Sequence, residues 1–179
     1  MKHTTITHRF TAMGRHQRGA SLLEAIAYLG IAAIVILGAI SLLTGAFSSA
    51  QSNRLGEEAV SIRTGVKKLY MGQANSYGAA SMNATLAAAR VFPATVNTTV
   101  PATPTNAFGG TVAVLGIGST FSITYTLVPQ DVCIGALSGA SGWVSVKGTG
   151  TIQNTFPLSP ANATTTCTAG TNTMVWISR

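Results

Sequence analysis

Histidine and carboxylate are scarce in this sequence. All three histidines, His3, His8 and His16, fall within the first 19 residues, and beyond Asn75 the lone carboxylate side chain is Asp131. General acid–base pairs, Ser-His-Asp sets and carboxylate metal cages need several such side chains close together, so the region beyond Asn75 cannot assemble them. Neither an enzyme nor a metal site of this kind is expected. No cofactor is expected either: Gly116-Ile117-Gly118 lacks the third glycine of a dinucleotide fingerprint and lies between β-branched runs rather than opening a helix. The two cysteines, Cys133 and Cys167, lack C-x-x-C spacing and a histidine neighbour, which disfavours zinc and thioredoxin-type chemistry. A disulfide formed in an oxidising compartment is the preferred reading, with two buried free thiols as the alternative.

Charge is sparse as well. Only 8% of the 179 residues are charged, yet the formal net charge is +7. Much of the excess is local: Lys2, Arg9, Arg15 and Arg18 precede Gly19 with no acidic residue among them. Without that segment, seven basic and four acidic side chains remain. A nucleic-acid partner is therefore not expected, and the cations Arg54, Arg63, Lys67 and Lys68 read as a solvated helix face.

What the chain has is a long uncharged run. Ala25 to Phe47 spans about 23 residues, enough as a helix to cross a hydrocarbon layer of about 30 Å. Basic residues stand before it, so the positive-inside rule leaves the first segment in the cytoplasm and the remainder outside. A cleaved secretory signal ending near Ser48-Ser49-Ala50 is the alternative, but the run is longer than the usual apolar core of about 7–15 residues, and Glu24 stands at its entrance. Beyond it, Leu55, Ala59, Ile62, Val66 and Leu69 recur at spacings of four and three, which extends the helix as an amphipathic stem to about Met71.

After Asn75 the composition turns to Ala, Gly, Thr, Ser and Asn with short β-branched runs. A short helix is expected over Asn83 to Arg90 with Asn83 as its cap, then a Pro- and Thr-rich loop. Strands are expected at Thr111–Ile117 and Phe121–Val128 about a Gly118-Ser119 turn, at Trp143–Lys147 and at Met174–Ser178.

The junction reads QRGASLLEA: a basic leader ending in Gly19, a small residue Ala20, and Glu24 five residues after the glycine, followed by the apolar run. In combination these resemble the prepilin signature of type IV pilins and pseudopilins. Leu69-Tyr70-Met71-Gly72-Gln73, Asn106-Ala107-Phe108-Gly109-Gly110 and the late pair Cys133 and Cys167 are similar to their counterparts in bundle-forming and conjugative thin-pilus prepilins of the type IVb group. The resemblance implies an α+β, ladle-like fold in which a long N-terminal helix packs on a C-terminal antiparallel sheet. It implies cleavage after Gly19 and methylation of Ala20 by a prepilin peptidase, and a disulfide between Cys133 and Cys167. It gives Glu24 a partner, the amino terminus of a neighbouring subunit, since a carboxylate among apolar groups costs at least about 2–3 kcal/mol unless paired; complementing the helix dipole at the membrane surface is the alternative.

The expected organisation is a leader over 1–19, a helix over 20–75 with a membrane or filament-core half at 20–47 and an amphipathic half at 48–75, and a sheet domain over 76–179 with a disulfide region at 133–167. The expected function is major subunit of a type IVb pilus, a homopolymer serving adhesion, aggregation or conjugative mating. Its expected partners are other copies of itself, the peptidase and inner-membrane assembly machinery, and the membrane before assembly. The rivals are a minor pilin, a type II secretion pseudopilin, and an anchored binding domain that never polymerises.

Overall fold

A computed structural model describes residues 21–73 and 76–179. Gly19 and Ala20, where processing is expected, lie outside the described residues. The chain divides into two compact units at Leu42 and Leu43. Helix α1, Leu22–Leu69, supplies the described part of the first unit apart from Ser21, and the opening element of the second.

In the second unit, α1 is followed by α2 (Asn83–Ala88), β1 (Val112–Ile117), β2 (Thr120–Pro129), α3 (Gln130–Leu137), β3 (Ser145–Lys147), β4 (Ile152–Gln153), α4 (Pro160–Thr166) and β5 (Thr171–Ser178). The five strands form one antiparallel sheet in the order β1-β2-β5-β3-β4. Because side chains alternate along a strand, the pairs Val112↔Tyr125↔Met174 and Val114↔Ile123↔Trp176↔Val146 put one apolar set on one face. These residues are buried together with Leu55, Ala59, Ile62 and Val66 of the 3-4 stripe of α1, whereas Leu69, expected in the same stripe, is 39% exposed in the last helical turn. The last strand is central, bonded to β2 on one side and β3 on the other, which ties down the chain end.

The β1–β2 hairpin closes Ile117↔Thr120 across Gly118 and Ser119, with Gly118 at φ 61°, a conformation that suits glycine. Along the other edge of β1 runs the segment 77–82, joined by Tyr77 N–H to Gly118 O (2.7 Å), Gly116 N–H to Ala80 O (3.1 Å) and Met82 N–H to Val114 O (2.9 Å). A Cβ at Gly116 would collide with the Tyr77 carbonyl, so this strap requires glycine there.

Four elements differ from the sequence expectation, the least of them being the two-residue strand β4, which has too short a run to show in the pattern. Asn83 does not cap α2 from outside; Met82 takes the cap position, and Asn83 is the buried first helical residue. Its amide donates to Ala102 O (3.1 Å) and Val112 O (3.2 Å) and accepts from Val114 N–H (2.8 Å), stitching the Pro- and Thr-rich loop to β1. Helix α3 forms in a stretch whose Val132, Ile134 and Gly135 favour strand or turn by propensity; burial of Val132, Cys133 and Leu137 overrides that preference. Helix α4 carried a readable start signal, since Ser159 Oγ accepts from Asn162 N–H (3.3 Å) with Pro160 at the first helical position.

Cys133 on α3 and Cys167 at the end of α4 are joined in a disulfide, 34 residues apart, with Cα atoms 6.0 Å apart. Both are buried in the core. Cross-linking a loop of this size restricts the unfolded chain by about 3–4 kcal/mol. Replacing both cysteines by alanine should lower the stability of the domain by about that amount, measured as a fall in the midpoint of denaturant unfolding; a variant within 1 kcal/mol of the parent would show that the bond contributes little.

Candidate assembly surface

The first turn of α1 is set by Ser21, whose Oγ accepts from Glu24 N–H (3.2 Å) and whose carbonyl accepts from Ala25 N–H (3.1 Å). This places Glu24 where the helix dipole favours an anion. Around and after it the side chains are exposed and apolar, from Leu22 at 81% through Ile34 at 74% to Leu42 at 81%. Burying one such side chain is worth about 1.5–3 kcal/mol, so a run this long is not left to water. The stretch is long and apolar enough to cross a membrane. A Cβ at Gly30, Gly38 or Gly45 would meet nothing within 4 Å, so among the described residues no contact requires glycine there. Small residues do let apolar helices approach one another closely.

In the second unit the same helix is fastened by polar contacts as well as by its stripe. Glu58 is only 7% exposed, although by charge alone it belongs with the solvated residues. Tyr125 donates its hydroxyl to Glu58 Oε2 (3.3 Å), Thr95 donates to Oε1, and Arg54 Nε lies 3.3 Å from Oε1. Burial of the phenol, reinforced by the neighbouring Glu58 charge and its hydrogen bond, raises the Tyr125 pKa far above the ordinary value and keeps it a donor. The signal was present in the sequence: Leu55, Glu58, Ala59 and Ile62 are the i, i+3, i+4, i+7 positions of one helix face.

Arg63 also leaves the solvated class. Its Nη1 donates to Gly142 O (2.7 Å) and its guanidinium lies 4.6 Å from the Trp143 ring centroid. Trp143 in turn packs on Trp176, with centroids 6.2 Å apart, and Trp176 meets Tyr125 edge-on at 5.7 Å. At the lower end of the stem, α3 approaches α1 so closely that a Cβ at Gly135 would collide with Ser52. Among the described residues no three His, Cys, Asp or Glu side chains group to hold a metal.

The arrangement is thus an exposed apolar helix with one carboxylate in its first turn, joined to a domain that fixes the rest of that helix on an antiparallel sheet. The PilS N-terminal family matches residues 49–179, the region that carries this sheet. The chain belongs to that family of type IV pilins. A solved type IVb pilin from Salmonella typhi is similar in structure, with a TM-score of 0.55 and 26% identity, over 68% of this chain and 97% of that one. No curated protein matches the sequence. As a type IVb prepilin the chain is a structural protein, and the family implies self-assembly into a pilus and an extracellular destination. Of the expected pilin site residues, Glu24 is exposed in the first helical turn, and Cys133 and Cys167 are bonded inside the domain.

One carboxylate of the pilin domain is placed to respond to acid. The Ser48 hydroxyl beside Asp131, with backbone N–H groups at the start of α3, holds that carboxyl below its ordinary value against the opposing effect of burial. A depressed folded-state value stabilises the fold above the ordinary carboxylate range and is lost as pH falls through the folded value. Asp131→Asn should therefore melt slightly below the parent at pH 7, and the gap should close as pH drops below about 4. Melting curves across pH 3–7 check this; a gap independent of pH would remove Asp131 ionisation as its cause.

Proposed function

We propose that the chain is the precursor of the major subunit of a type IVb pilus, a surface filament serving adhesion, aggregation or conjugative mating. The observation that carries this reading is the exposed, uncharged apolar stretch of α1 with Glu24 as the single charge at its start. Residues 1–19 form a cytoplasmic leader, 20–47 the half of the helix held first by the inner membrane and then by the filament core, 48–75 the amphipathic half, and 76–179 the sheet domain. A prepilin peptidase cuts after Gly19 and methylates Ala20.

In the filament the Glu24 carboxylate pairs with the amino terminus of Ala20 on a neighbouring subunit. The pairing offsets the cost of placing a charge among apolar helices and sets the axial register. The inner-membrane assembly machinery moves subunits from bilayer to fibre, and the apolar stretch exchanges lipid for other copies of itself. Contacts of this head-to-tail kind do not close on themselves and so generate a helical polymer. A minor pilin or pseudopilin shares leader and helix; a long filament made of this chain separates the major subunit from both.

The N-terminal residue and mass of protein sheared from cells and sedimented as filaments test the reading. Methylated Ala20 is expected at the start; a chain beginning at Met1 or Gln51 would replace the pilin reading with an anchored or secreted binding domain. Glu24→Ala should be processed normally and remain in the membrane fraction, with sheared filaments reduced at least about tenfold, since one unpaired buried charge is worth more than the 1.4 kcal/mol that a factor of ten represents. Filament yield at the parental level would separate Glu24 from assembly.

A further inference from the structure

The charges of the pilin domain that are not used inside it are distributed unevenly along α1. Arg54 and Glu58 are paired, and Arg63 is engaged by Gly142 and Trp143. Glu57, Lys67 and Lys68 have no hydrogen bond or ion pair among the described residues and are exposed; Lys67 projects about 100° round the helix from Lys68, off the face that Glu57 and Lys68 share. Glu57 and Lys68 lie 11 positions apart, which on a helix of 3.6 residues per turn is three turns with only about 20° of rotation, or about 16 Å along one face. Between them the face carries Val60, 44% exposed, with Ser61 and Thr64 and no charge. Lys68 shares a cleft of about 460 Å³ with Arg90, and no carboxylate lines it. At the other end Glu57 edges a groove walled by small residues of α3 and the loop after it, including Gly135 and Ala140.

We infer that this uncovered face of α1 is a contact between copies of the chain, in which Glu57 of one subunit meets Lys68 of a neighbour displaced by about three helical turns. The inference rests on the polymerising reading given above. Charge complementarity selects the occupant: the face is anionic at one end and cationic at the other, so a second copy of itself, shifted along the helix, is its electrostatic complement. Copies that enter from one membrane share a direction, which makes the contact parallel and staggered, and a staggered contact propagates. Val60 and the neighbouring hydroxyls leave an uncharged centre that two helices can bring together without stranding a charge. Glu57 thereby contributes a second register mark, at a different height from Glu24.

The test is a charge swap in cells that carry the full-length chain. Glu57→Lys and Lys68→Glu are made singly and together, and sheared filament is quantified against total processed subunit; melting of the detergent-extracted chains controls for folding. Each single variant is expected to melt with the parent and to lower filament yield at least about fivefold, and the double variant to recover at least half the parental yield. Single variants that assemble normally, or a double variant no better than either single while all melt alike, would overturn the contact. Because the parent chain is run alongside, loss of parental filaments would instead overturn the polymerising reading and this inference with it. Should a single variant melt early, Glu57→Gln and Lys68→Gln take its place, with the same yields expected to fall and pairwise mixtures with the parent expected to recover in proportion to the parent; unchanged yield would again overturn the contact.

Discussion

The domain depends on how the outer half of α1 is seated. Four apolar residues, Leu55, Ala59, Ile62 and Val66, are each 2% exposed or less and share one core with Tyr125, Ile123 and Trp176. Apolar burial is not directional, and such a stripe alone would tolerate rotation or a slip along the axis. The buried Glu58 removes that freedom. A charge withdrawn from water must keep its donors; Arg54, four residues back on α1, moves with it, but Tyr125 and Thr95 meet its two oxygens in one seating only. Arg63 repeats the constraint higher on the helix through Gly142 and Trp143. Together they convert a greasy contact into a fixed one, and a subunit whose helix is fixed presents the same surfaces in every copy of a polymer.

Much of this was legible in the residues, and what was not has identifiable causes. The helix, the stripe, the Gly118 hairpin and the terminal strand all follow from periodicity and turn chemistry, which act over a few residues. Charge alone puts Arg63 on the solvated face and gives no hint that Glu58 is buried, because a charged side chain in a helix is solvated by default and changes sides only when distant residues supply partners. Those partners, Thr95, Tyr125 and Trp143, lie 37 to 80 positions away. Asn83 shows the same limit: its residue type fits a cap, whereas its partners at Ala102, Val112 and Val114 belong to another part of the chain. Helix α3 was hidden because Val132 and Ile134 have strand-like propensity, and only its packing under the sheet and its link through Cys133 decide for helix.

The surface left over is unusual for its poverty in charge. Fixing α1 consumes Arg54, Glu58 and Arg63, and Asp131 is occupied by Ser48 and the start of α3. Few exposed ions remain to be desolvated when subunits approach, so those that do remain carry disproportionate weight in deciding orientation.

The strap at residues 77–82 has a consequence for how such a polymer stays orderly. Inside a fibre the local protein concentration is close to that of a solid, and a bare strand edge would be a template for amyloid-like stacking. On the β1 side the strap already occupies the ladder hydrogen bonds at Val114, Gly116 and Gly118. On the other side β4 is only two residues long. Among the described residues neither edge offers a long run of free backbone on which a neighbour's strand could zip, which disfavours cross-β stacking wherever copies of the domain are crowded together.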